Sequence, residues 1–136
     1  MMLVLTRIDR WIPSWAVIVP SFWACWVLWH PPSNFAAFAS FAFVEGLVSD
    51  ERAWASMIGL GAVLHTIGMA LRMRCRDFTI ARVTGFVGLS IEAFFWIVFG
   101  LGTIAGNPDT LFGVCGLTVG LVAAWRLIRF GWAEDV

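Results

Sequence analysis

The chain has 136 residues, of which 60% are hydrophobic and only 13% charged, and its formal net charge is zero at neutral pH. Soluble domains carry about 25% charged residues, so a water-soluble fold does not fit, and balanced charge leaves no basic excess with which to hold a nucleic acid. Every basic residue is arginine, tyrosine is absent, and nine tryptophans stand beside twelve phenylalanines, a usage suited to lipid and its interfaces.

The length allows one domain, residues 1–136, without low-complexity tract, polar linker or internal repeat. Its first apolar segment covers 11–29, behind Arg7 and Arg10. Trp11 and Trp15 lie near one end of it and Trp26 and Trp29 near the other, where interface belts form. Pro20 falls in the middle and is expected to kink the helix. His30, Pro31, Pro32, Ser33 and Asn34 end it, because proline removes a donor and biases its predecessor away from helix. Arginines before an apolar run, with Ala37, Phe38 and Ala39 as a nominal cleavage triplet, imitate a signal peptide. The run is longer and richer in tryptophan than the usual signal core of about 7 to 15 residues, so a retained span is expected.

The second segment, 35–49, is about 22 Å long as a helix, short of the roughly 30 Å of hydrocarbon, and it contains Glu45. Arginine placement decides whether it crosses. If it does, the loop bearing Arg72, Arg74, Arg76 and Arg82 lies opposite Arg7 and Arg10. If it does not, these arginines share one side with Arg126 and Arg129, and only Arg52 faces outward. The second arrangement is strongly asymmetric and predicts four transmembrane helices, 11–29, 53–71, 83–105 and 111–128, with both termini cytoplasmic. Segment 35–49 then becomes a short outer helix, interfacial or re-entrant, with Phe35, Phe38 and Phe41 recurring every three residues. Its simplest role is to cover the ends of the spans.

Trp54 opens the 53–71 span after Asp50, Glu51 and Arg52, and Trp125 closes the last, both at belt positions. Asn107, Pro108, Asp109 and Thr110 make a tight turn between the third and fourth spans. Two ionisable residues fall inside spans, His65 and Glu92. Such groups usually face protein or water and are functional candidates by default. Glu92 would cost about 3 kcal/mol at mid-helix, which a span rich in Val, Ile, Leu and Phe at about 0.3 to 0.6 kcal/mol each offsets. Gly61, His65 and Gly68 share one helix face, and Gly85, Gly88 and Glu92 share another. Glycine permits close backbone approach, so these faces are expected to meet and make His65 and Glu92 neighbours. The pair then either fixes helix pairing or forms part of a proton or ion relay.

In the last span Gly113, Gly116, Gly120 and Ala124 form a small-residue stripe containing a GxxxG, which packs either within the chain or between copies. Cys25, Cys75 and Cys115 are isolated and lack metal-site or redox spacing; only Cys75, between Arg74 and Arg76, has surroundings that favour thiolate. No nucleophile, metal cluster or phosphate loop is legible, so neither enzyme nor cofactor is expected.

The run Arg7-Ile8-Asp9-Arg10-Trp11-Ile12-Pro13-Ser14-Trp15, the Phe-rich outer segment, Trp54 after Asp50-Glu51-Arg52, the arginine-rich loop and the short charged C-terminus together resemble small four-span membrane proteins of tailed bacteriophages, some labelled holin-like. The resemblance extends over nearly the whole chain by topology. It implies a small, self-associating protein that permeabilises the inner membrane so that a cell-wall hydrolase escapes, and it supplies no catalytic residues. Many holins end in a strongly basic tail, whereas this chain ends Ala133-Glu134-Asp135-Val136. Three classes follow: a membrane-permeabilising homo-oligomer, an accessory subunit of a larger membrane or virion assembly, and a small transporter or channel using His65 and Glu92.

Overall fold

The computed structural model describes residues 2–30, 41–47, 50–74 and 78–132. These residues form α1 (Met2–Trp29), α2 (Ala42–Leu47), α3 (Glu51–Arg74), α4 (Phe78–Gly106) and α5 (Leu111–Trp132), with no strand among them. Three helical stretches are long and apolar enough to cross a membrane, Glu51–Arg74, Thr79–Gly106 and Leu111–Arg129, and a shorter apolar stretch, Ser14–Trp29, lies in α1. The protein is thus all-α and compatible with embedding in a bilayer.

Local chemistry sets the helix ends. At the end of α1, His30 lies over the Trp26 ring at 3.8 Å between centroids, its Nδ1 2.9 Å from the Trp26 carbonyl. Asp50 caps α3: its Oδ1 accepts the Arg52 N–H at 2.9 Å and its carbonyl the Ala53 N–H at 3.1 Å. The turn expected at Asn107–Thr110 forms, with Thr110 N–H donating to the Asn107 carbonyl and Asp109 N–H to Asn107 Oδ1, both at 3.1 Å. Helix α1 continues through Pro20 to Trp29. Hydroxyls within the helices are satisfied locally: Ser21, Thr66, Ser90 and Thr118 each donate to the carbonyl four residues back, as an apolar surrounding requires.

Helix α3 lies along α4, α4 along α5, and α1 closes against α3 and α5, leaving α1 and α4 diagonal across the bundle. One end carries the Asn107 turn and the other Arg72, Arg74 and Arg82; we call them the turn end and the arginine end. The turn half of the core is aromatic, with Phe41, Trp54, Phe95, Trp96 and Phe99 packed among Ala24, Leu28, Val44, Ala55 and Ile58. Phe95 stacks on Phe99 at 5.1 Å and meets Trp54 edge-on at 5.9 Å. The arginine half is thinner, built on Val17, Leu89, Ala93 and Ala123.

Two expectations change. Trp54 is not a belt residue, being only 5% exposed; the first turn of α3 faces α4, and the indole fills the aromatic core. Trp15, Trp26, Trp29 and Trp125 do face outward, while the Trp11 side chain lies outside the described residues. Of the outer segment about 35–49, only Phe41 to Leu47 is described, so Phe35 and Phe38 fall outside. Phe41 is buried rather than turned to lipid, lying 5.3 Å from the Phe99 ring. Val44 and Phe43 sit over Gly102 of α4, so α2 covers the turn end of the bundle.

Candidate functional site

The closest helix contact is between α3 and α4, and glycine makes it possible. A Cβ on Gly68 would run into the backbone of Gly85, and one on Gly88 into the backbone of His65 and, at 2.7 Å, the Gly61 carbonyl oxygen. One on Gly61 would meet the Glu92 side chain at 3.2 Å. The two antiparallel helices therefore stay in one register over three contacts, Gly68 against Gly85, His65 against Gly88 and Gly61 against Glu92. Each polar residue faces a glycine, so its side chain fits where the opposite helix has none. The structure thus brings together Gly61, Gly68, Gly85 and Gly88 with His65 and Glu92.

His65 Nδ1 lies 2.5 Å from Glu92 Oε2, and the two side chains are 3% and 0% exposed. The other carboxyl oxygen, Oε1, is also buried and takes no hydrogen bond from any described residue. An isolated carboxylate in such a setting is very unfavourable. As a unit the pair is neutral in two forms, imidazolium with carboxylate or imidazole with carboxylic acid, which differ by the position of one shared proton. The arrangement can therefore hold a proton between two helices and tie those helices together.

Other polar groups share the bundle interior. Trp96 Nε1–H donates to Ser21 Oγ at 3.0 Å across the diagonal between α4 and α1. Arg126 Nη2 donates to Ser14 Oγ at 2.6 Å, joining α5 to α1. Ser14, Ser21, His65, Glu92 and Thr103 are all buried. Ser14, Ser21 and Trp96 were not among the sequence candidates. The available signal was the α1 face Ser14, Val17, Ser21, Ala24 and Leu28, whose helical spacing marks it as inward.

No family model, curated protein or solved structure matches the chain. Its site therefore has to be read from its own geometry.

The small-residue stripe is used inside the chain. A Cβ on Gly113 would meet Thr103 Oγ1 at 2.7 Å, and one on Gly120 would meet the backbone nitrogen of Ile97 at 2.9 Å, both on α4. From the α4 side, a Cβ on Gly100 would meet the Leu117 nitrogen at 2.5 Å. Gly116 is looser, its nearest neighbour being Trp96 at 3.4 Å, an ordinary contact, and Ala124 is half-buried. Of the two uses open to the stripe, packing within the chain is the one seen. The predicted basic loop also divides: Arg74 is exposed, Arg72 and Arg82 are half-buried, and Arg76, like Cys75, lies outside the described residues. Cys25 is half-buried and Cys115 exposed, both as free thiols.

Proposed function

We propose that this chain is a four-span protein of the bacterial inner membrane, with both termini cytoplasmic, that acts by assembling in the bilayer and permeabilising it as phage holins do. Helix α1 supports the fourth span: the apolar segment 11–29 is helical throughout and extends about 28 Å, close to the roughly 30 Å of hydrocarbon. Arginine asymmetry supports the orientation.

The observation that carries the reading is how polarity and bulk divide between inside and outside. Close glycine contacts and the buried polar groups lie within the bundle, while Trp15, Phe22, Trp23, Trp26, Phe94 and Trp125 are exposed on its flanks. What the protein offers its surroundings is a wall of large apolar side chains, to which lipid or other membrane helices are the natural partners. That favours action through assembly over chemistry at a site.

One observation favours a second reading, an accessory subunit of a larger membrane or virion assembly. The Gly113, Gly116 and Gly120 face is occupied by α4, so it is not free to seat a second copy. Controlled expression with a potential-sensitive dye separates the two. A holin-like protein collapses the membrane potential abruptly after a delay and migrates as an oligomer in mild detergent. A monomer that leaves the membrane intact at high expression removes the holin reading in favour of the accessory one.

A further inference from the structure

Among the described residues one buried side-chain oxygen takes no hydrogen bond, Glu92 Oε1. Its sister Oε2 meets His65 Nδ1 at 2.5 Å, and no arginine stands within salt-bridge distance of the carboxyl. The half-buried Arg72, Arg82 and Arg126 lie toward the arginine end. These facts bear on where the one proton of the pair sits. A buried ion pair offsets its desolvation only where further hydrogen bonds satisfy the remaining lone pairs, and a carboxylate here would leave Oε1 bare. As a carboxylic acid, Glu92 donates its O–H from Oε2 to Nδ1 and leaves Oε1 a neutral carbonyl oxygen. Burying that oxygen without a partner costs far less than burying a charged one. His65 is then an uncharged imidazole whose ring proton is on Nε2.

The two ends of the bundle enclose this proton differently. Toward the turn end, the next turns of α3 and α4 carry Trp54, Ile58, Phe95, Trp96 and Phe99, all buried and packed ring against ring. An apolar interior of that kind stays dry, because a water in it would find no polar partners. The one indole N–H donor there, on Trp96, is already given to Ser21. Toward the arginine end the core is built from Val17, Leu89, Ala93 and Ala123. One turn further, the buried Ser14 hydroxyl of α1 is bonded at 2.6 Å to Arg126 of α5. That guanidinium is only half-buried, so a chain of polar groups runs from the interior to this end of the bundle.

We propose that His65 and Glu92 form a proton-binding site that opens toward the arginine end, its one proton carried on Glu92 Oε2 and hydrogen-bonded to His65 Nδ1. Loading moves a proton from water onto the Glu92 carboxylate and removes a net negative charge from the interior; release reverses both. The site rests on neither self-assembly nor permeabilisation. The full chain reconstituted in lipid tests it. The sequence holds two histidines, and His30 is exposed, so His30→Gln leaves His65 as the single histidine signal. Solid-state magnetic resonance of histidine labelled at both ring nitrogens should show a neutral ring, with Nδ1 accepting and Nε2 protonated. Infrared spectra should show a protonated-carboxyl stretch that is missing in Glu92→Gln and shifts when heavy water replaces water. Ser14→Val, which removes the hydroxyl on the open side, should slow that shift at least tenfold. Thr103→Val, a buried near-isosteric change toward the turn end, should leave its rate as in wild type. An unchanged His65 signal checks that each variant is folded. An imidazolium signature, or no carboxyl band assignable to Glu92, overturns the proton-binding site. Slowing in both variants, in neither, or in Thr103→Val alone overturns the opening toward the arginine end. None of these readouts depends on oligomeric state or membrane potential, so failure here stays separate from failure of the holin reading.

Discussion

Removal of either half of the His65–Glu92 pair tests the bundle at its most sealed contact. With the side chains 3% and 0% exposed, water cannot replace a lost partner. Glu92→Leu leaves the imidazole buried and unsatisfied, and His65→Leu does the same to the carboxyl; each should destabilise by about 1–3 kcal/mol. The double Leu variant leaves no polar group stranded. It should be less destabilised than the sum of the singles, by a coupling of about 0.6–2 kcal/mol as membrane hydrogen bonds go. Glu92→Gln distinguishes the two proton arrangements. If the pair is imidazolium with carboxylate, loss of the charge strands a buried cation and costs about 3–5 kcal/mol; if it is neutral, the acid O–H donates to Nδ1, the amide N–H can donate in its place and the cost is about 1 kcal/mol. The assay is equilibrium unfolding in mixed micelles, followed by tryptophan fluorescence. Additivity of the two single variants to within about 0.5 kcal/mol would refute the reasoning, because it would mean that the contact contributes nothing as a pair.

Three further outcomes follow from the packing. Gly88→Ala and Gly120→Ala should each destabilise the bundle, since the new methyl meets backbone of the facing helix. Gly116→Ala should be near neutral because its methyl finds only ordinary contacts, and Gly46→Ala equally so with nothing within 4 Å; the same unfolding titration ranks them. Trp54→Ala should cost about 3–5 kcal/mol as a large-to-small core change, whereas Trp26→Ala, at a residue 63% exposed, should change stability little. For topology, a cysteine at Asp109 should react with an impermeant reagent from outside the cell and one at Arg74 should not. The reverse pattern inverts the orientation, and labelling at both contradicts it.

The helices long and apolar enough to cross a membrane and the asymmetric placement of arginine were legible in the sequence, because apolar run length and charge position act locally and need no partner. The faces Gly61–His65–Gly68 and Gly85–Gly88–Glu92 were legible too, since helical phase alone puts each set on one side. Their glycines also led to the expectation that the two faces meet; only tertiary structure decided the register in which they do. One register between α3 and α4 makes each polar side chain lie opposite a glycine, and phase within one helix says nothing about register between two. The same holds for the α5 stripe, whose glycines look alike whether they seat α4 or a second copy. Trp54 shows the converse error: a tryptophan at the start of a span suits an interface belt by position, but the first turn of α3 faces α4 and the indole packs against Phe95 and Phe99. Arg126 sits near the end of a span and reads as an ordinary inner-face cation until Ser14 of α1 is found beside it. Such contacts join residues more than a hundred positions apart, as between Ser14 and Arg126. They depend on which helices are neighbours, a property of the packed bundle that local patterning does not contain.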